Sequence, residues 1–175
     1  MKHFHCIFDQ AVPEEICDQW VQTYDPLVVD GTTTMQEAQS IRRSKIHFVE
    51  DRAVQDHIRH FCEVANRNVF GVDTGNHIDC QFTRYDGDDN GFYDYHLDVS
   101  FEGQKPAFDR KISCTVLLND FDEFEGGDFM LMDKKVELKK GSVILFPSFY
   151  PHKVAPVTKG TRYSMVGWLE GTRWR

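Results

Sequence analysis

Two hydrophobic periods divide the chain near residue 75. Ahead of that point the apolar positions recur at helical spacing; from residue 78 onward they alternate every second position. A first helix is predicted at Pro13, which suits an opening turn. Glu14 and Glu15 favour its positive end, and Ile16 and Trp20 lie four apart on one face. A second is predicted from about Asp51 to Asn68, where Val54, Ile58, Phe61, Cys62, Ala65 and Val69 form a stripe and Gly71 a stop. Beyond them Ile78, Cys80 and Phe82 alternate with Asp79, Gln81 and Thr83. Further short strands are predicted near 92–99, 111–118, 128–132, 142–146, 152–155 and 161–169, with hairpin turns at Glu125-Gly126-Gly127-Asp128 and Lys139-Lys140-Gly141. The expected fold class is mainly β (α+β). One domain would place an antiparallel barrel or double-sheet jelly roll at 76–175 behind a helical support region at 1–75.

Composition narrows the function classes. The 175 residues suffice for one core, and 13% aromatic content is too high for a disordered acidic chain. Net charge −8 has the wrong sign for holding a phosphate backbone, so no nucleic-acid partner is expected. Cys6, Cys17, Cys62, Cys80 and Cys114 are odd in number and contain no C-x-x-C pair, which argues against a disulfide framework or zinc ribbon and for a reducing compartment. Neither a leader-length apolar stretch near Met1 nor a run of about 20 apolar residues occurs, so the expectation is a cytoplasmic protein without membrane association.

Candidate chemistry begins with His96 and Asp98. Separated by one residue in a predicted strand, they would emerge on one face and converge on one ion. His152, after the Pro147–Pro151 turn, supplies a third ligand. Two imidazoles and one carboxylate leave positions open on a non-haem Fe(II), while catalytic zinc remains possible on spacing alone. In the strand from Thr161, alternation puts Arg162, Ser164, Val166 and Trp168 on one face. If that face points inward, an unpaired guanidinium costs several kcal/mol, a penalty that a bidentate carboxylate ligand removes. The alternative is that Arg162 faces solvent or pairs with a protein carboxylate.

Taken in order, these residues resemble the H-x-D…H…R signature of the 2-oxoglutarate and Fe(II)-dependent dioxygenases, in the prolyl 4-hydroxylase-like branch. The resemblance covers about residues 4–170. It rests on Arg84-Tyr85-Asp86-Gly87, Tyr95-His96-Leu97-Asp98, the strand Lys111 to Asn119, Glu125-Gly126-Gly127-Asp128, Lys140 to Pro147, Pro151-His152-Lys153-Val154 and Gly160 to Ser164. It implies a double-stranded β-helix with His96, Asp98 and His152 holding Fe(II), Arg162 the C5 carboxylate of 2-oxoglutarate, and Tyr85 a hydroxyl to that carboxylate. It further implies O2 as oxidant, ascorbate as reductant, and release of succinate and CO2 as a C–H bond is hydroxylated. The implied substrate is a prolyl residue of a peptide or protein. A free amino acid or small metabolite, or a non-catalytic jelly-roll module that binds a ligand or metal, are the alternatives.

One departure is visible: some relatives carry a second tyrosine on the strand Ile112 to Leu118, where this chain offers Thr115 and Leu117, so Thr115 is the expected helper at 2-oxoglutarate. Trp168 is expected as a pocket wall. Asp86-Gly87-Asp88-Asp89-Asn90-Gly91 matches half of a calcium loop, but its twelfth position is Leu97, and it reads better as an acidic turn overhanging the metal site and favouring a basic peptide. His3, His5, His47, His57, His60 and His77 are expected on the surface or in the core. Lys134, Lys135, Lys139 and Lys140 read as a solvated sheet edge; Arg42, Arg43 and Lys45 form a small basic cluster before Phe48 that reads better as a solvated face than as a lining of substrate entry. Loops 31–40 and 101–109 are expected to shape substrate choice.

Overall fold

The computed structural model describes residues 5–31, 41–99 and 108–174. Most of the two loops expected to shape substrate choice, and His3, lie outside the described residues. Both predicted helices are present. Helix α1 (Glu14–Tyr24) starts after Pro13 with Glu14 and Glu15 in its first turn, and buries Cys17, Trp20 and Tyr24. Helix α2 (Arg52–Ala65) is capped by Asp51, whose carboxylate accepts from the Ala53 amide at 2.8 Å, and buries Val54, Ile58, Cys62 and Ala65. It runs on into a wider turn, Asn66–Phe70, that ends at Gly71 in the left-handed region (φ 63°).

Two antiparallel sheets follow from the period of two. The larger contains β1 (Cys6–Phe8), β2 (Val29–Asp30), β4 (Lys45–Phe48), β5 (Ile78–Asp86), β7 (Phe108–Leu117), β8 (Phe124–Gly126), β11 (Val143–Pro147) and β13 (Val157–Thr172). Its order is β1-β11-β7-β13-β5-β4-β2, with β8 on the first part of β13. The smaller has β3 (Arg42–Arg43), β6 (Phe92–His96), β9 (Phe129–Leu131), β10 (Lys134–Val136) and β12 (His152–Val154), in the order β10-β9-β12-β6-β3. This is the expected jelly roll. The first 75 residues do more than supply helices, because β1, β2 and β4 extend the larger sheet and β3 the smaller.

Alternation sorts the larger sheet into a dry face and a polar one. Ile78, Cys80, Phe82, Ile112, Cys114, Val116, Val143, Leu145, Met165 and Leu169 pack with α1 and α2 into one core. At the crossing with α2, Gly167 leaves no room for a side chain: a Cβ there would lie 2.4 Å from Ile58 Cγ2. The opposite face turns toward the smaller sheet, and a second cluster built from Tyr85, Leu117, Phe129, Leu131, Ile144, Phe146 and Val154 fills the space between them.

Three expectations need correction. Neither predicted hairpin is one: β8 pairs with β13 and β9 with β12, so Glu125-Gly126-Gly127-Asp128 carries the chain from one sheet to the other, and Lys139-Lys140-Gly141 does the same between β10 and β11. Glycine punctuates a sheet-to-sheet crossing as it punctuates a hairpin. A tight hairpin does occur at Met132-Asp133, joining β9 to β10, with Met132 at φ 51°. Lys134 and Lys135 lie on the edge strand as expected, but Lys140 is not solvated, since its side chain is 11% exposed and bonds Asp18 at 2.7 Å.

Candidate active site

The three predicted ligands converge. Ligand atoms of His96, Asp98 and His152 all lie within 4.8 Å of one another. His96 ends β6 and is the register partner of His152 at the start of β12, so neighbouring strands of the smaller sheet present both rings. The strand stops at His96, shorter than predicted, and Asp98 follows in a bend whose amide donates to the Ser148 carbonyl at 3.0 Å. That bond, rather than strand alternation, brings the carboxylate back, with Oδ1 3.7 Å from His96 Nε2 and Oδ2 3.4 Å from His152 Nε2.

Each imidazole is oriented by its own backbone. His96 Nδ1 lies 2.8 Å from the Asp94 carbonyl and His152 Nδ1 3.0 Å from that of Tyr150. A carbonyl only accepts, so Nδ1 carries the proton in both rings and Nε2 presents a lone pair toward the centre. Burial, then the neighbouring His152, lowers the His96 pKa to about 3, which keeps this ring neutral at physiological pH. The Asp98 pKa is lowered on balance: burial pushes it up, while the facing histidines, when protonated, and the hydrogen bond donated by Ser113 pull it down. Among the described residues two other groups, His77 with Asp79 and Glu170, and Asp120 with Asp122 and Glu123, bring ligand atoms as close, but in more exposed settings.

Arg162 is the second anchor. On β13 it faces inward opposite Tyr85 of β5, is 2% exposed, and leaves Nη1 without a hydrogen-bond partner among the described residues. Its guanidinium carbon stands 5.7 Å from the Tyr85 ring centroid. Gly127 makes room for it: at φ 66°, a Cβ there would lie 2.9 Å from Arg162 Cδ. A permanently charged group buried with an unused donor requires an anion, and a carboxylate ligand fits it. Tyr85 and Thr115 are both buried on the same inward face, with Leu117 two residues beyond Thr115. Trp168 lies six residues from Arg162 on that face, its indole covered by Arg110 at 3.8 Å and its Nε1 also unpartnered, as suits a pocket wall.

Several neighbours were not legible as site residues. Arg42, expected on a solvated face, is instead 8% exposed. It bonds Gln81 at 3.0 Å and Ser44 at 2.7 Å, and lies over Tyr93, which stacks on His96. Nothing in the run Arg42-Arg43 marks which cation turns inward. Ser113 bonds Asp98, and its signal was available: a hydroxyl in phase with Thr115 in the otherwise apolar stretch from Ile112 to Leu117. The acidic turn does not overhang the metal ligands. It precedes β6 at the end opposite His96, and Asp86 is neutralised by Arg84 at 2.6 Å and Lys45 at 3.0 Å. That pairing also leaves the calcium reading without its first ligand.

A jelly roll that gathers two histidines and a carboxylate beside a buried arginine has the donor set that a metal-dependent oxygenase would use. The family model of the 2OG-Fe(II) oxygenase superfamily matches residues 80–170, and the chain belongs to that family. It is 37% identical over 101 residues to a PKHD-type hydroxylase of Xylella fastidiosa (strain M23), an overlap of 51% of this chain and 43% of that protein. The chain thus spans less than half the length of that curated relative. In structure it is similar to a Pseudomonas putida prolyl-4-hydroxylase (TM-score 0.74, 21% identity, 99% of this chain and 95% of that one). It is likewise similar to a viral collagen prolyl hydroxylase of Paramecium Bursaria Chlorella virus-1 solved with 2OG (TM-score 0.77, 17% identity, 98% of each). Both likenesses support the jelly-roll fold.

Proposed function

We propose that the protein is a 2-oxoglutarate-dependent hydroxylase acting on a prolyl residue of a peptide or protein, with O2 as oxidant and ascorbate as reductant. The observation that carries this reading is the unpartnered Nη1 of buried Arg162, because a site that only bound metal would have no use for a sequestered cation. Prolyl hydroxylases among the similar structures support the choice of substrate, and five free cysteines support a reducing, cytoplasmic setting.

His96 and His152 would hold Fe(II) through Nε2, and Asp98 through a carboxylate oxygen. With O2 as oxidant, the bound iron and 2-oxoglutarate would supply the chemistry that puts one oxygen atom into an unactivated C–H bond and the other into succinate, with release of CO2. Arg162 would bind the far carboxylate of 2-oxoglutarate, the Tyr85 hydroxyl would donate to that carboxylate, and Thr115, buried on the same face, would assist. Leu117, Ile144 and Phe146 line the space between with apolar surface and keep water from the reacting end. Trp168 and Arg110 wall the opposite end of the same face, where the substrate would approach.

Proline-containing peptides and free amino acids, each incubated with Fe(II), 2-oxoglutarate and ascorbate, test the proposal. Succinate formation coupled to a gain of one oxygen on a peptide proline is expected. Turnover of free amino acids alone would overturn the peptide assignment, and binding of metal without any 2-oxoglutarate turnover would return the chain to a non-catalytic module.

A further inference from the structure

Asp98 lies just past the end of its strand, so alternation does not fix its carboxylate. Something else must, because a carboxylate can give an ion one oxygen or both. Using both would take a position that the chelating cosubstrate or dioxygen needs. Two buried serines stand behind it. Ser113 Oγ donates to Asp98 Oδ2 at 2.5 Å, and Ser148 Oγ lies 2.9 Å from Ser113 Oγ. Both serines are fully buried, so no water competes for these bonds. A hydroxyl has one proton, and an ionised carboxylate can only accept. The Ser113 proton therefore goes to Asp98, and the contact with Ser148 is donated by Ser148. The backbone follows the same path: the Asp98 amide bonds the Ser148 carbonyl at 3.0 Å, and the Ser148 amide that of Lys111 at 3.1 Å.

We propose that Ser113 is a positioning residue. By donating to Asp98 Oδ2 it takes one lone pair of that oxygen, which stands 3.4 Å from His152 Nε2, and so biases the carboxylate toward offering Oδ1 to the metal, while Ser148 holds the Ser113 hydroxyl in that orientation. Through β7, a strand of the larger sheet thereby sets the metal ligand geometry of the smaller one. The inference rests on the metal-site reading above.

Its test is titration of the metal-free protein with Co(II), a stand-in that does not turn over. Wild type, Ser113→Ala, Ser113→Thr, Ser148→Ala and His96→Ala are compared by calorimetry and by the Co(II) visible spectrum. Ser113→Ala is expected to weaken Co(II) binding by about 10- to 100-fold and to shift the spectrum toward the weaker bands of a more highly coordinated ion. Ser113→Thr, which keeps the hydroxyl, is expected to restore both, and Ser148→Ala to weaken binding less than Ser113→Ala does. Wild-type affinity and spectrum in Ser113→Ala would overturn the proposal, as would a larger loss in Ser148→Ala. Failure of the underlying site reading looks different: wild type then takes up no Co(II), or His96→Ala takes it up as well as wild type.

Discussion

The same strands make both faces of the larger sheet, yet the faces are held in opposite ways. Toward the helices, Ile78, Cys80, Phe82, Ile112, Cys114, Met165 and Leu169 leave almost nothing exposed and have no polar side chain beyond the thiols to satisfy. Toward the smaller sheet the same strands bury Gln81, Thr83, Tyr85, Ser113, Thr115, Arg162 and Ser164, and two donors there, Arg162 Nη1 and Trp168 Nε1, have no partner among the described residues. The lesson is a division of labour by parity: odd and even positions of one strand serve stability and chemistry separately, and a slip of one residue would exchange them.

If that division holds, substitutions should separate by face. The largest effect is expected from Phe82→Ala on the dry face. Phe82 is fully buried, 6.0 Å from Tyr24 and 5.8 Å from Tyr163 between ring centroids, and its loss should cost about 3–5 kcal/mol in chemical denaturation. The metal affinity of the folded fraction should stay at the wild-type value; a parallel loss would show that the faces are coupled.

On the polar face, Arg162→Met should do the reverse. Losing charge-assisted bonds of about 1.5–3 kcal/mol each should weaken 2-oxoglutarate binding roughly 100-fold by calorimetry. Without 2-oxoglutarate, the melting temperature should hold or rise, because a buried and incompletely paired charge has been replaced by an apolar chain. A clear fall would mean that the protein itself satisfies the guanidinium. Gly127→Ala probes the seam between the two. It places a side chain at φ 66° and 2.9 Å from Arg162 Cδ, so about 1–2 kcal/mol of stability should go, together with part of the 2-oxoglutarate affinity.

The smallest effect is expected at the rim. Burial alone would raise the Asp86 pKa, but hydrogen bonds from Arg84 and Lys45 outweigh it and hold the value below the ordinary 3.8. A depressed carboxylate stabilises the fold fully above its unfolded value and loses that contribution as pH falls through the folded one. Wild type should therefore lose stability below about pH 3.8 through this group, and Asp86→Asn should flatten that part of the acid limb in pH-dependent thermal melts.

How much of this was legible depended on whether a residue's role is set locally. The two helices, the strand from Ile78 and the face of β13 that carries Arg162 were readable because periodicity and turn residues are short-range signals, whereas His152, 54 residues from Asp98, was joined to the H-x-D pair through the family resemblance. The turns at Gly126-Gly127 and Gly141 were misread because a local signal shows that the chain bends and not which sheet it joins. Arg42 was misread for the converse reason: its burial depends on Gln81 and Tyr93, both distant in sequence. The acidic turn was placed beside the metal ligands because it is close to them in sequence, whereas β6 carries His96 to the other end of the strand.

Strand β13 is 16 residues long and lies between β5 and β7, which are consecutive in the larger sheet's half of the chain but never touch each other along this path. That arrangement has a consequence in time. At synthesis rates of about 5–20 residues per second, roughly 3–11 s separate completion of β7 at Leu117 from completion of β13 at Thr172. Through that interval β5 and β7 each present an unpaired edge with an apolar face behind it, the geometry that invites wrong pairing. His96, Asp98 and His152 have all been made before β13 begins, so the nascent chain carries its complete metal-ligand set while the strand bearing Arg162 is still to come.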